Sequence, residues 1–140
     1  MHSSIARGEF FMGAPIRILI ADDSELFRKS LCKLLFAEGS VEVCGQAGDY
    51  AELLKKLTDT SPDVVLMDIW MPYSGDVRVD TIKAELSGSC LIAMSFSVDD
   101  ETAEVAKNFG AHALLDKSTL ATSLLPAIDE CLRQKRSALA

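Results

Sequence analysis

The stretch that decides the fold is DVVLMD at residues 63–68, a short apolar run that ends in the carboxylate of Asp68. A run of this length, rich in valine and leucine, predicts a strand that is buried on both faces of a parallel sheet. A carboxylate at the end of such a strand is costly to desolvate unless other groups at the same edge use it. Asp68 is therefore the first candidate functional residue.

Three other predicted strands also end next to reactive side chains. The run at 16–21 leads into Asp22 and Asp23. The run at 91–94 leads into Ser95, and the run at 113–116 leads into Lys117. In open α/β sheets, ligand sites form at the carboxyl ends of the strands, so these groups are expected to meet Asp68 on one edge. Three acids, one hydroxyl and one ammonium suit a divalent cation and a phosphoryl group.

Composition narrows the classes of protein to which this chain can belong. Its 140 residues favour one domain, and a hydrophobic share of 49% is enough for a buried core. The net charge is −7, and no run of lysine or arginine marks a nucleic-acid surface. No apolar stretch approaches the roughly 18 residues that span a bilayer, and the first residues do not form a secretory signal. We therefore expect a cytoplasmic protein with no membrane contact.

The four cysteines lie far apart in the sequence, at positions 32, 44, 90 and 131, and none of their spacings is typical of a metal site. Each lies within an apolar segment, so we expect four buried thiols in a reducing cytosol. A redox role is the less favoured alternative.

Strand patterns and helix patterns alternate from Ile16 onward. Strands are predicted at 16–21, 41–45, 63–68, 91–94 and 113–116, and helices at 24–38, 49–60, 76–86, 98–109 and 119–133. Right-handed crossovers between parallel strands place helices on both faces, which predicts an α/β, doubly wound (βα)5 sheet of five parallel strands. Pro126 conflicts with the last helix and is expected to bend it or delay its start.

The domain is predicted to cover residues 16–134. Residues 1–15 lack periodicity and mix serine, glycine and proline, which favours a loose leader or a cloning remnant ahead of Met12. Residues 135–140 are expected to form a tail or the start of a linker.

The adjacent acids Asp22 and Asp23, with Asp68 beside them, concentrate negative charge that a cation would relieve. Hard oxygen ligands of this kind suit Mg²⁺, which takes one or two carboxylates together with a phosphate oxygen. The alternative is a helix N-cap at Asp23 or Ser24. Capping accounts for one acid but not for two acids in register with Asp68 and Lys117, so the metal site is the favoured interpretation.

Asp68 is the candidate nucleophile, because a carboxylate can attack a phosphoryl group and form an aspartyl-phosphate. Catalysis of such a transfer depends on positioning and charge. The metal would neutralise one face of the phosphoryl oxygens, Lys117 would neutralise another, and Ser95 would donate a hydrogen bond to a third oxygen. The alternatives are a small polar residue tolerated at a strand end for Ser95 and a solvated side chain for Lys117.

Residues 16–133 resemble a response-regulator receiver domain of the chemotaxis-regulator type, the phosphoacceptor module of two-component signalling. The matching elements are IADDS at 20–24, LMDIWMP at 66–72, MS at 94–95, and GA at 110–111 leading to Lys117. The resemblance implies a flavodoxin-like fold and phosphorylation of Asp68 by a histidine kinase or a phosphotransfer protein. It also implies a homodimer through the last two helices and the last strand, or a C-terminal DNA-binding domain beyond this chain.

The resemblance also implies roles for the residues at the strand ends. Asp23 and Asp68 would bind Mg²⁺ together with the backbone carbonyl of Trp70, and Asp22 would act mainly through water. Ser95 and Lys117 would contact the phosphoryl oxygens. The full set of implied site residues is Asp22, Asp23, Asp68, Trp70, Ser95 and Lys117.

Two positions depart from the family pattern near Lys117. Ser118 follows this lysine where most receivers place a proline, so the loop is expected to be more mobile or simply trans. Leu114 stands where many receivers carry an aromatic switch residue. Since leucine cannot donate a hydrogen bond, any coupling of phosphorylation to the surface must run through packing.

Two further departures are bulky side chains, Trp70 two residues after Asp68 and Phe96 directly after Ser95. They are expected either to pack against neighbouring helices or to shield an acyl phosphate from water. Shielding predicts a long-lived phosphoprotein.

Three functions compete for this pattern. The first is a phosphoacceptor switch on Asp68, and the second is a phosphorylation-independent, receiver-like interaction module. The third is an aspartate-nucleophile phosphatase, a class of enzymes whose members share a D-x-D motif. Neither acidic segment of this chain fits that motif, because Asp22 and Asp23 are adjacent and Asp68 is followed by Ile69 and Trp70.

Overall fold

The computed structural model describes residues 14–73 and 76–139, so most of the predicted leader lies outside the described residues. Five parallel strands form one sheet in the order β2-β1-β3-β4-β5. The strands are β1 Ile16–Ala21, β2 Val41–Ala47, β3 Val64–Asp68, β4 Cys90–Ser95 and β5 Ala113–Asp116. The helices are α1 Glu25–Phe36, α2 Tyr50–Thr60, α3 Val79–Leu86, α4 Asp100–Asn108 and α5 Leu120–Leu139. The predicted doubly wound α/β fold is confirmed.

Alternate residues of the inner strands face opposite sides of the sheet, as the two-residue period of a strand requires. On one side, residues such as Ile20 and Leu66 pack against α1 and α5. On the other side, residues such as Leu19 and Met67 pack against α2, α3 and α4. All five residues of β3 are buried, so the run at 63–68 is the central strand that its composition predicts.

Helix boundaries follow the capping side chains. The Ser24 hydroxyl accepts from the Phe27 N–H, so Ser24 is the N-cap of α1 and Asp23 is left available for another role. Asp49 caps α2 as predicted, and Asp99 caps α4, which begins at Asp100 rather than at 98. No side chain caps α3, which begins at Val79 rather than at 76.

The last helix is longer than predicted, because α5 runs from Leu120 to Leu139 rather than ending at 133. Residues 135–139 therefore belong to α5. Pro126 lies within α5 and does not interrupt it. Because proline has no N–H, the carbonyl of Thr122, four residues earlier, has no helical hydrogen-bond donor. Thr122 is exposed, so water can reach this carbonyl.

The cysteines are free thiols, but only Cys90 and Cys131 are buried, while Cys32 and Cys44 are partly exposed. The prediction of four buried thiols is thus half wrong, because Cys32 lies on the flank of α1 and Cys44 lies on the edge strand β2. Within residues 14–73 and 76–139, no helix combines the length and apolar character needed to cross a bilayer.

Candidate functional site

The sheet register brings the predicted functional residues to one edge. Asp68 ends β3 and pairs with Met94, the residue before Ser95 on β4. Ser95 in turn pairs with Asp116, the residue before Lys117. On the other side, Met67 of β3 pairs with Ala21, which directly precedes Asp22. Three loops that follow β1, β3 and β5 therefore converge on the carboxyl end of the central strand.

Three carboxylates form the floor of this edge. Asp22, Asp23 and Asp68 each offer an oxygen, and these oxygens all lie within 4.8 Å of one another. Asp22 is fully buried and Asp68 is 8% exposed, whereas Asp23 is open to solvent. Oxygen donors at this spacing, with one exposed member, fit a hard divalent cation that keeps part of its water shell.

Backbone amides orient two of these carboxylates. The N–H of Ser24 donates to Oδ1 of Asp22 at 2.8 Å, and the N–H of Trp70 donates to Oδ1 of Asp68 at 2.8 Å. Each amide comes from two residues further along the chain, which is the geometry of an Asx turn. The other oxygen, Oδ2, is left for Lys117 in both residues.

Lys117 joins the two buried carboxylates. Its Nζ lies 2.6 Å from Oδ2 of Asp22 and 3.0 Å from Oδ2 of Asp68, and its side chain is 6% exposed. Burial acts to lower the pKa of Lys117, but hydrogen bonds and charge from both carboxylates outweigh it and raise that pKa above its ordinary value. The ammonium therefore stays charged at neutral pH.

For Asp22, the effect of burial on the pKa outweighs that of the neighbouring donors. Burial raises the pKa of Asp22, against the lowering effect of Lys117 and of the Ser24 N–H. With all groups ionised, three carboxylates and one ammonium leave two negative charges, which matches a divalent cation. The pocket is thus only partly neutralised by its own lysine.

Ser95 is buried at the end of β4. Its Oγ accepts a hydrogen bond from the N–H of Ser97 at 3.0 Å. Because that bond uses an oxygen lone pair, the hydroxyl hydrogen remains able to donate to another group. The hydroxyl is therefore both fixed in place and chemically available at this edge.

Sequence reasoning did not predict that aromatic rings lie beside the Lys117 ammonium. Phe27 is not among the candidate site residues that the sequence predicts, yet its ring lies 4.4 Å from Nζ of Lys117. The ring of Phe96 lies 5.2 Å from the same atom. The place of Phe27 in the sequence could have indicated this contact. Side chains in the first turn of a helix lean toward the helix N-terminus, and the N-terminus of α1 lies at the same strand edge as the site.

Tyr50 is a second residue that the sequence did not single out. Its fully buried hydroxyl donates to the carbonyl of Ile69, next to Asp68, at 3.1 Å. Its ring stacks with that of Tyr73, at a centroid distance of 4.6 Å, and with that of Phe109, at 5.9 Å. Burial raises the pKa of Tyr50, so the phenol stays protonated and keeps donating. Tyr50 therefore ties the loop after β3 to α2.

We expect Tyr50→Phe to lower the free energy of unfolding by about 1–2 kcal/mol, because it leaves the Ile69 carbonyl without its donor. Urea denaturation monitored by circular dichroism measures this loss. Tyr73→Phe is the matched control, since Tyr73 is 52% exposed and keeps its stacked ring. Equal stability of the two variants would show that the Tyr50 hydroxyl does not hold the loop.

The two departures near Lys117 have clear structural places. Leu114 is partly buried and packs into the core on the α2–α4 side of the sheet. Ser118 closes a short turn, since its N–H and its hydroxyl both donate to Oδ1 of Asp116, at 2.8 and 2.6 Å. The described residues contain no cis peptide bond, so the link from Lys117 to Ser118 is trans.

The bulky residues Trp70 and Phe96 are exposed rather than packed away. Trp70 is 49% exposed and Phe96 is 70% exposed. Phe96 does contact α1, where it meets the ring of Phe27 edge to face at 6.2 Å. Phe96 therefore packs in part against α1, as one of the two alternatives predicts, and neither ring is buried.

Comparisons with known proteins agree with this geometry. The family model described as response regulator receiver domain matches residues 18–129. The chain is 34% identical over 114 residues to the transcriptional regulatory protein LiaR of Bacillus subtilis, covering 81% of this chain and 54% of LiaR. It is 36% identical over 129 residues to a protein-glutamate methylesterase/protein-glutamine glutaminase of Lawsonia intracellularis, covering 89% of this chain and 36% of that protein.

Solved structures give the same result. The signal receiver domain of the response regulator NarL from Mycobacterium tuberculosis superposes with a TM-score of 0.74 at 28% identity, covering 86% of this chain and 98% of that domain. The response regulator domain of Thermotoga maritima CheB gives a TM-score of 0.72 at 26% identity, covering 85% of this chain and 97% of that domain. The chain thus matches whole receiver domains but spans only about half or a third of the curated relatives.

Proposed function

This chain belongs to the response regulator receiver domain family, and we propose that it is a phosphoacceptor switch that takes a phosphoryl group onto Asp68. The observation that carries the proposal is the setting of the Asp68 carboxylate. Oδ1 is held by the Trp70 N–H, Oδ2 lies 3.0 Å from the Lys117 ammonium, and two further acids are adjacent. A carboxylate fixed in this way, with 8% of its residue surface open to solvent, is positioned to act as a nucleophile.

The phosphodonor we propose is the phosphohistidine of a histidine kinase or a phosphotransfer protein. An oxygen of Asp68 attacks phosphorus, a new P–O bond forms, and the P–N bond to the donor imidazole breaks. The electron pair of that bond returns to the imidazole nitrogen. Lys117 balances negative charge on one phosphoryl oxygen, and the Ser95 hydroxyl donates to another.

The same acids fit a magnesium site. We propose that Mg²⁺ is held by Asp23, Asp68 and the backbone carbonyl of Trp70, with Asp22 acting mainly through water. When bound, the ion supplies charge that neutralises the phosphoryl oxygens. Asp22 and Lys117 then set the local field, since their ion pair lies directly beside the metal ligands.

Phosphorylation adds charge next to Ser95 and Lys117, which begin and end the segment containing α4 and β5. We propose that this charge shifts the surface formed by α4, β5 and α5, where the chain either pairs with a second copy or docks an effector. A C-terminal DNA-binding domain is one such effector, because the relative named a transcriptional regulatory protein is about twice as long as the matched region. We place this switch in the cytoplasm.

The proposed chemistry is limited to self-phosphorylation and self-dephosphorylation. Relatives named methylesterases share only about a third of their length with this chain. The alternative function is an interaction module that needs no phosphate, and the packed Leu114 in place of an aromatic switch residue is the observation that favours it.

One experiment separates these two functions. The protein is incubated with acetyl phosphate and Mg²⁺, and its intact mass is measured. A single phosphoryl adduct that requires Mg²⁺ and is cleaved by hydroxylamine, as an acyl phosphate should be, supports the switch. No adduct with acetyl phosphate, carbamoyl phosphate or phosphoramidate supports the interaction module instead.

We expect Trp70→Asn to lose its phosphoryl group several-fold faster than the parent protein, because we propose that the half-exposed indole, two residues after Asp68, keeps water from the acyl phosphate. The decay of the adduct after removal of donor measures this rate, and Trp70→Phe is the control that keeps a ring. Phe96→Ala is expected to act in the same direction. Unchanged half-lives in both truncated variants would remove the shielding role.

A further inference from the structure

We propose that Phe27 and Phe96 form an aromatic cage that positions Lys117 and thereby sets a balance between cation affinity and phosphoryl transfer. This inference rests on the proposed function of Asp68. The Lys117 Nζ lies 4.4 Å from the ring centroid of Phe27 and 5.2 Å from that of Phe96. The two rings meet edge to face, with an interplanar angle of 68° and centroids 6.2 Å apart.

The cage completes the surroundings of the ammonium. Nζ lies 2.6 Å from Oδ2 of Asp22 and 3.0 Å from Oδ2 of Asp68, and the same atom lies over both rings. The negative face of an aromatic ring attracts a cation most strongly where water is excluded, and the Lys117 side chain is only 6% exposed. The rings therefore favour the position in which the ammonium bridges both carboxylates.

That position has two consequences of opposite sign. The ammonium competes with a divalent cation for the carboxylates of Asp22 and Asp68, so a firmly held Lys117 weakens cation binding in the resting protein. The same ammonium stands 3.0 Å from the proposed nucleophilic carboxylate, where it can meet the incoming phosphoryl oxygens. A firmly held Lys117 therefore speeds transfer.

The cage also links separate elements. Phe27 belongs to the first turn of α1, and Phe96 directly follows Ser95 at the end of β4. A movement of Lys117 or Ser95 toward a phosphoryl group must therefore repack a ring on another element. This contact offers a packing route in the region where Leu114 provides no hydrogen bond.

Phe27→Leu tests the cage, because it keeps an apolar side chain of similar reach and removes the ring. Mg²⁺ affinity is read from the fluorescence of Trp70, the sole tryptophan, without any phosphodonor. The initial rate of adduct formation is measured separately with acetyl phosphate at saturating Mg²⁺. We expect the Mg²⁺ dissociation constant to fall and the rate to fall, each by about three- to tenfold.

Tighter Mg²⁺ binding together with slower transfer distinguishes a positioning role from simple damage to the fold, because damage would weaken binding and slow transfer. Phe27→Tyr keeps the ring and is expected to restore most of both values. Phe96→Leu, at a residue that is 70% exposed, repeats the test where folding is not at risk. Both values unchanged in the two leucine variants, or Mg²⁺ binding weakened in both, would overturn the cage.

The outcome for the cage is separable from that of the proposed function. If the parent protein forms no adduct, the phosphoacceptor proposal fails, yet the Mg²⁺ titration of Phe27→Leu still reports on Lys117. If the parent forms the adduct and the leucine variants match it in both measurements, only the cage fails.

Discussion

We expect Asp68→Asn to abolish the phosphoryl adduct completely under conditions that label every parent molecule. The asparagine side chain has nearly the same shape and can still accept the Trp70 N–H, so the loop after β3 keeps its anchor. Its amide nitrogen carries no nucleophilic lone pair, and its single carbonyl oxygen lacks the negative charge that attacks phosphorus. Intact mass spectrometry with acetyl phosphate and Mg²⁺ gives a yes-or-no result.

The matched control is Asp59→Asn, which makes the same chemical change on the exposed surface of α2. This variant is expected to form the adduct at the parental rate. A variant at Asp68 that still gains one phosphoryl group would place the acceptor elsewhere, with Asp23 as the nearest exposed carboxylate. Peptide mapping after borohydride reduction would then identify it.

Much of the fold was predictable because one run fixes the centre of the sheet. A strand buried on both faces, β3, requires helices on both sides, and the alternation of patterns supplies them. The strand-edge rule then brings Asp22, Asp23 and Asp68 together from spacing alone. These steps depend on backbone topology, which apolar periodicity encodes well.

What the sequence did not reveal depends on the directions of side chains across elements. Periodicity places Lys117 at the same sheet edge as the acids, but it does not encode that the ammonium pairs with Asp22 as well as with Asp68. The ring of Phe27 reaches the site only because Ser24 fixes where α1 begins. The start of α3 was misplaced because Arg78, its N-cap residue, makes no side-chain cap hydrogen bond.

The other large effect is on stability. We expect Lys117→Met to lower the free energy of unfolding by about 3 kcal/mol at pH 7 in EDTA, because removing one partner of a buried ion pair leaves the other unpaired. Here the unpaired groups are Asp22, which is fully buried, and Asp68 beside it. Urea denaturation measures the loss, and Lys55→Met, on the exposed surface of α2, is the control.

The pH dependence of this loss has a defined sign. Burial already raises the pKa of Asp22, and Lys117 opposes that shift, so the variant raises the folded-state pKa further. A carboxyl whose pKa is higher in the folded state stabilises the fold when protonated, and this contribution is lost as pH rises through the folded pKa. The difference between parent and variant is therefore largest near neutral pH and narrows as the pH falls through the folded-state pKa of Asp22.

Two rescues would identify the cause of the destabilisation as unpaired charge rather than a poorly packed methionine. Mg²⁺ should stabilise Lys117→Met more than it stabilises the parent, because the ion takes over the neutralisation of the acids. Asp22→Asn should recover part of the lost stability in the Lys117→Met background while it weakens the response to Mg²⁺. If neither change restores stability, the carboxylates are not what the ammonium holds together, and the electrostatic account of the pocket is wrong.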